Sequence, residues 1–99
     1  LIFSDLHLRL DEAGAAALLR SVDKTSLLTA LKAGRSNAPD AVAFLMANIS
    51  KRMAEQYEEE MASMAEPDED AADAAQREIV RATRQLEARN ELKLKAPPE

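Results

Sequence analysis

ISKRMAEQYEEEMASM, residues 49–64, is the stretch from which the rest of the chain can be read. Met53, Ala54, Tyr57, Met61 and Met64 recur at three- and four-residue spacing, which gives one apolar face to a helix. Arg52, Glu55, Gln56, Glu59 and Ser63 fall on the opposite stripe, with Lys51, Glu58 and Glu60 on its flanks. Ser50 is positioned to cap the start, because a hydroxyl there can accept a bond from an orphan N–H of the first turn. Pro67 stops the pattern, since it cannot continue a helix and restricts the residue before it. The charge order is the reverse of what a helix dipole favours: Lys51 and Arg52 open the helix and Glu58, Glu59 and Glu60 close it. Pairing of Glu55 with Lys51 and Arg52 offsets part of that cost. Such a face either solvates the domain or is presented to a partner.

Working outward, four further helical segments and a short entry turn are expected. In residues 3–10, Phe3, Leu6 and Leu10 share a helical face while Leu6, Leu8 and Leu10 alternate as a strand would; a helical turn is preferred because no second strand is evident. His7 is the single histidine, and nothing near it suggests a site. Asp11 caps a helix over 11–21 with Ala15, Leu18 and Leu19 inward, and Gly14 within it costs about 1 kcal/mol unless close packing needs the space. Asp23 caps a third helix to Ala33, with Val22 and Leu27 as a hydrophobic staple and Lys32 closing the last turn. Gly34 is expected as its left-handed terminator, followed by a polar loop over 33–38. Pro39 and Asp40 open a fourth helix that is apolar nearly all round and ends near Asn48. After an acidic hinge at 66–73, a long last helix runs from Asp68 to about Arg89, with Ala75, Ile79, Ala82, Thr83 and Leu86 inward. Leu92 and Leu94 tuck back, and residues 95–99 form a frayed tail.

Composition narrows the function. Ninety-nine residues make one domain, large enough for an unstapled core. Without cysteine there is neither a disulfide framework nor a thiolate metal site. The longest apolar run, residues 41–47, is far short of the roughly 20 residues a membrane span needs. No signal peptide is visible, and a chain that opens on Leu1 is expected to be a piece of something longer. A net charge of −5 with dispersed basic residues argues against nucleic acid. Only three aromatics and two glycines in an alanine- and leucine-rich chain favour an all-α fold. No phosphate loop, histidine pair or nucleophile–base set is present, and consecutive exposed glutamates lack the buried setting that acid–base catalysis uses. No enzyme activity and no cofactor or metal are therefore expected. Glu66, Asp68, Glu69, Asp70 and Asp73 lack the glycine turn and alternating ligands of a calcium loop, and serve better as a first-turn acidic cap.

Taken in order, the segments carry a resemblance. Leu10-Asp11-Glu12, Leu19 to Asp23 (LRSVD) and Leu27 to Lys32 (LLTALK) resemble the "LDD…LLREVD…LALALKG" pattern of the C-terminal domain of the flagellar motor switch protein FliG. Asn48 to Arg52 (NISKR) is similar to that family's "NMSKR", and Gln76 to Glu87 (QREIVRATRQLE), followed by Glu91-Leu92, to its last helix and "GEI". The resemblance covers nearly the whole chain. It implies a compact bundle of about six helices over residues 1–94, with one charged surface helix and a long C-terminal helix. It also implies a rotor component at the cytoplasmic face of the bacterial inner membrane, which meets the cytoplasmic loop of the stator protein MotA by charge and neighbours FliM and further FliG copies. Lys32, Arg52, Glu59 and Glu60 match the family's stator-facing charges, and Lys51, Glu55 and Glu58 would support them. This chain departs from the pattern in three places. Glu66-Pro67-Asp68-Glu69 puts acid where the family has an arginine after Gly-Pro, so the ridge is more negative. Residues 33–41 are about three longer, and Phe3 meets only part of the aromatic hinge motif. The rival readings are a helical scaffold or adaptor whose charges only solvate it, and an acidic, cation-responsive regulatory domain.

Overall fold

Polar caps mark where four of the helices start, and the computed structural model, which describes residues 1–98, shows them in place. A 3-10 turn at Phe3–Asp5 runs into α1 (Leu6–Arg9). Then come α2 (Glu12–Ser21), α3 (Lys24–Asn37), α4 (Pro39–Ala47), α5 (Lys51–Ser63) and α6 (Glu69–Ala88), with no strand among the described residues. Asp11, Asp23, Ser50 and Asp68 each accept a bond from the backbone N–H three residues on, at 2.7, 3.0, 3.1 and 2.8 Å. Each satisfies one of the donors that a helix start leaves orphaned.

Two helices organise the core. On α6, Ala72, Ala75, Ile79, Thr83 and Leu86 are buried at helical spacing, and this stripe packs most extensively on α3. From α3 come Leu27, Leu28, Ala30, Leu31 and Gly34. Leu6, Leu10, Leu18 and Leu45 fill in from α1, the link after it, α2 and α4, and each is essentially sealed from solvent. Thr83 is the one buried polar side chain among the described residues, and its hydroxyl donates to the Ile79 carbonyl at 2.9 Å. Of the expected inward positions, Leu19 and Ala82 are only half-buried, as are Phe44 and Met46 of the apolar α4, and Met53, expected on the apolar face of α5, is exposed.

The stretch after Ala33 differs from expectation. It is not a polar loop: α3 continues to Asn37, and the link to α4 is the single residue Ala38. Gly34 is not a left-handed terminator either, since no glycine among the described residues has a positive φ. It lies inside the helix because of what it faces: a Cβ there would come within 2.6 Å of Val42 Cγ2 and 3.1 Å of Phe3 Cε2. The helix stops where it does because Pro39 pushes the residue before it out of the helical region. Ala38 accordingly has φ −151° and ψ 54°.

The left-handed position is at the other end of the chain. Asn90, at φ 59°, follows α6. Its N–H donates to Glu87 O at 3.0 Å and that of Glu91 to Leu86 O at 2.9 Å, the paired bonds of a Schellman motif. Leu92 is then buried and Leu94 half-buried, as expected. Lys95 exchanges two bonds with Arg9: its N–H donates to Arg9 O at 2.8 Å, and Arg9 Nε donates to Lys95 O at 2.6 Å. Glu99, the end of the expected tail, lies outside the described residues.

Candidate functional site

The charged helix α5 is held from one side. Met61 is its only buried residue, with Ala54, Tyr57 and Met64 half-buried beside it, and its main support is α3. The face that α3 turns toward it reads Lys24, Leu28, Lys32, Arg35, a stripe at helical spacing. Lys24 Nζ is 2.8 Å from Glu60 Oε1 and 5.9 Å from the Tyr57 ring centroid. Arg35 pairs with Glu58. These two basic partners are three turns apart on α3, roughly 16 Å along its axis. Their acids flank the Tyr57 and Met61 stripe on opposite sides of α5. The charged helix therefore lies across α3 rather than along it.

Lys32 sits between the two pairs. It is half-buried, and its Nζ donates to Met61 O at 2.5 Å and to Met64 O at 2.6 Å. Both carbonyls lie at the end of α5, where a helix favours positive charge; Met61 O also accepts from the Met64 N–H at 3.2 Å, and Met64 O has the ammonium as its partner. The last turn of α5 contains no basic residue of its own. The reversed charge order is thus offset from a neighbouring helix. The pairing of Glu55 with Lys51 or Arg52 expected from the sequence is not among the ion pairs of the described residues.

What remains outward is a stripe with a polarity. Lys51 and Arg52 at the start of α5, and Glu55 and Glu59 further along, are exposed and form no ion pair among the described residues. Met53, 41% exposed, stands beside the basic end, so the stripe has an apolar edge there. Of the seven expected residues, the fold brings Arg52, Glu59, Lys51 and Glu55 together on free surface. It ties Lys32, Glu58 and Glu60 into the seat of α5. Lys24 and Arg35 escaped the sequence reading. The signal that could have found them is the basic stripe 24–28–32–35 itself, read against three glutamates with no base in their own last turn.

Two acids of the hinge are engaged locally. Asp68 caps α6, and Asp73 pairs with Arg77 at 2.8 Å. No group of three or more His, Asp or Glu side chains among the described residues is placed to hold a metal ion. No helix of the described residues is long and apolar enough to cross a membrane.

Against this geometry stand the similarities to known proteins. The family model described as the FliG C-terminal domain matches residues 1–94. The solved structure of FliG residues 86–343 from H. pylori is similar at TM-score 0.82 and 29% identity, over 93% of this chain and 42% of that one. A second, of H. pylori FliG residues 116–343, gives TM-score 0.79 and 29% identity over 93% of this chain and 39% of that one. The chain thus spans about two fifths of the solved proteins it matches. No curated protein matches it.

Proposed function

Since this chain belongs to the FliG C-terminal domain family, we propose that it is the stator-facing part of a bacterial flagellar rotor's switch complex, and that Arg52 and Glu59 are its principal contacts. Lys51 and Glu55 extend that ridge, while Glu58 and Glu60 buttress it from the α3 side. The work is charge engagement without bond chemistry: complementary charge raises on-rate and specificity more than it raises tight affinity, which suits contacts that must release. The partner is the cytoplasmic loop of the stator protein MotA, at the cytoplasmic face of the inner membrane. FliM and neighbouring FliG copies are the other expected neighbours, and the engagement both generates torque and sets its direction.

The observation that supports this reading is the unpaired, outward stripe on α5. Arg52 and Glu59 lie two turns apart, about 10 Å along the helix. A matching surface presents an acid toward the start of α5 and a base about 10 Å further on. The test places Arg52→Glu and Glu59→Lys in the full-length protein and scores motility and filament number separately. Filaments are expected to persist while swimming falls, and an opposite charge change in the stator loop is expected to restore it. Unchanged swimming with stable protein would leave the stripe as a solvated face of a scaffold, and the reading would fall.

A further inference from the structure

We infer that Lys32 is a positioning residue for α5: its ammonium replaces the basic last turn that α5 lacks and seats the helix across α3. Three observations converge on this role. The apolar hold on α5 is modest: Met61 alone is fully buried, with Ala54, Tyr57 and Met64 half-buried beside it. The ion pairs at its flanks are between side chains that are 39–51% exposed, where water and salt screen them and the contribution is slight. The two bonds from Lys32 are different in kind. They are charge-assisted, half-buried, and directed at backbone carbonyls of residues 61 and 64, so they fix the main chain of α5 itself. Lys32 therefore acts on the outward charges through α5. That consequence for engagement rests on the reading of Arg52 and Glu59 given above; the seating of α5 does not.

The absence of cysteine makes a clean test available. In the 99-residue chain, Lys32→Cys creates a single thiol, which alkylation with bromoethylamine converts to a side chain of lysine length ending in an ammonium. Iodoacetamide gives a neutral adduct of similar size. Amide hydrogen exchange, followed by peptide, reads α5 and α6 separately. Lys32→Cys and its neutral adduct are expected to exchange about ten- to a hundredfold faster over residues 54–64, the range a charged hydrogen bond supports. The amides of α6 are expected to change less than threefold, and the aminoethyl adduct to return α5 to within threefold of the parent. Equal behaviour of the two adducts, or no acceleration in α5, overturns the inference.

Should Lys32→Cys unfold, Lys32→Met keeps an apolar stem and repeats the comparison. Uniform acceleration of α5 and α6 in both variants overturns the inference as well, because Lys32 would then stabilise the whole fold. The two proposals fail separately. Selective loosening of α5 with Arg52 and Glu59 dispensable for swimming upholds the positioning role and removes the stator reading.

Discussion

Gly34→Ala sets two terms of opposite sign against each other, and the structure decides between them. Alanine inside a helix is favoured over glycine by about 1 kcal/mol, so on local grounds the substitution would stabilise α3. The new methyl, however, would stand 2.6 Å from Val42 Cγ2 and 3.1 Å from Phe3 Cε2. The first distance lies well inside ordinary carbon contact, and the atom it meets can yield little: a β-branched side chain has a stiff χ1, and Val42 is 4% exposed. Phe3, 5% exposed, closes the other side. Overpacking of this kind costs about 1–3 kcal/mol, and a clash this close belongs near the upper end. The net effect is a destabilisation of about 1–2 kcal/mol. For a domain of this size that lowers the melting temperature by roughly 5–15 °C. Thermal and urea unfolding followed by circular dichroism measure it. Val42→Ala removes the clashing methyl, so Gly34→Ala made in that background should cost at least about 1 kcal/mol less than in the parent. A melting temperature for Gly34→Ala equal to or above the parent's would refute the reasoning, and so would strict additivity with Val42→Ala.

Two further substitutions probe the C-terminal helix. Asn90, at φ 59°, tolerates glycine, so Asn90→Gly should leave stability within about 0.5 kcal/mol or raise it, whereas Asn90→Val should cost about 1–2 kcal/mol by forcing a β-branched residue into the left-handed region; urea midpoints distinguish the two. Thr83→Val keeps the shape of a fully buried side chain and removes only a hydroxyl whose acceptor is a helix carbonyl, so it should be near neutral, within about 1 kcal/mol, while Thr83→Ala should cost more by opening a cavity; calorimetry on both checks the difference.

The helix starts were legible because their signals are local. Asp11, Asp23, Ser50 and Asp68 each bond an N–H only three residues away, so the side chain and its acceptor task lie within one window of sequence. The start of α4 was legible from Pro39 for the same reason. Gly34 was not, because a glycine before polar residues has two meanings. A left-handed stop and a tight crossing look alike until Phe3 and Val42, which are distant in sequence or across a helix break, are seen to press on it. Asn90 was open to a local reading, since asparagine after a helix is the commonest alternative to glycine there. The ridge followed the same division. The outward stripe of Arg52, Glu55 and Glu59 is a matter of helical period and was read correctly as one face. Which of the charges are already engaged depends on α3, whose Lys32 finds its acceptors 29 and 32 residues away.

The transverse seat of α5 also has a mechanical meaning. A helix laid across its support, and touching chiefly that support, is joined to the rest of the domain largely in series: apart from the short links 48–50 and 64–68, a sideways push on α5 passes into α3, and from there into α6. In a series linkage the softest joint sets the compliance. The α3–α6 joint is broad and apolar, whereas the seat of α5 has one buried methionine, the half-buried Tyr57 and Met64, two exposed ion pairs and one ammonium. Load applied along the outer stripe would therefore tilt α5 against α3 before it strained the core. Under such a load the domain would respond as a stiff body that carries a more compliant contact on its surface.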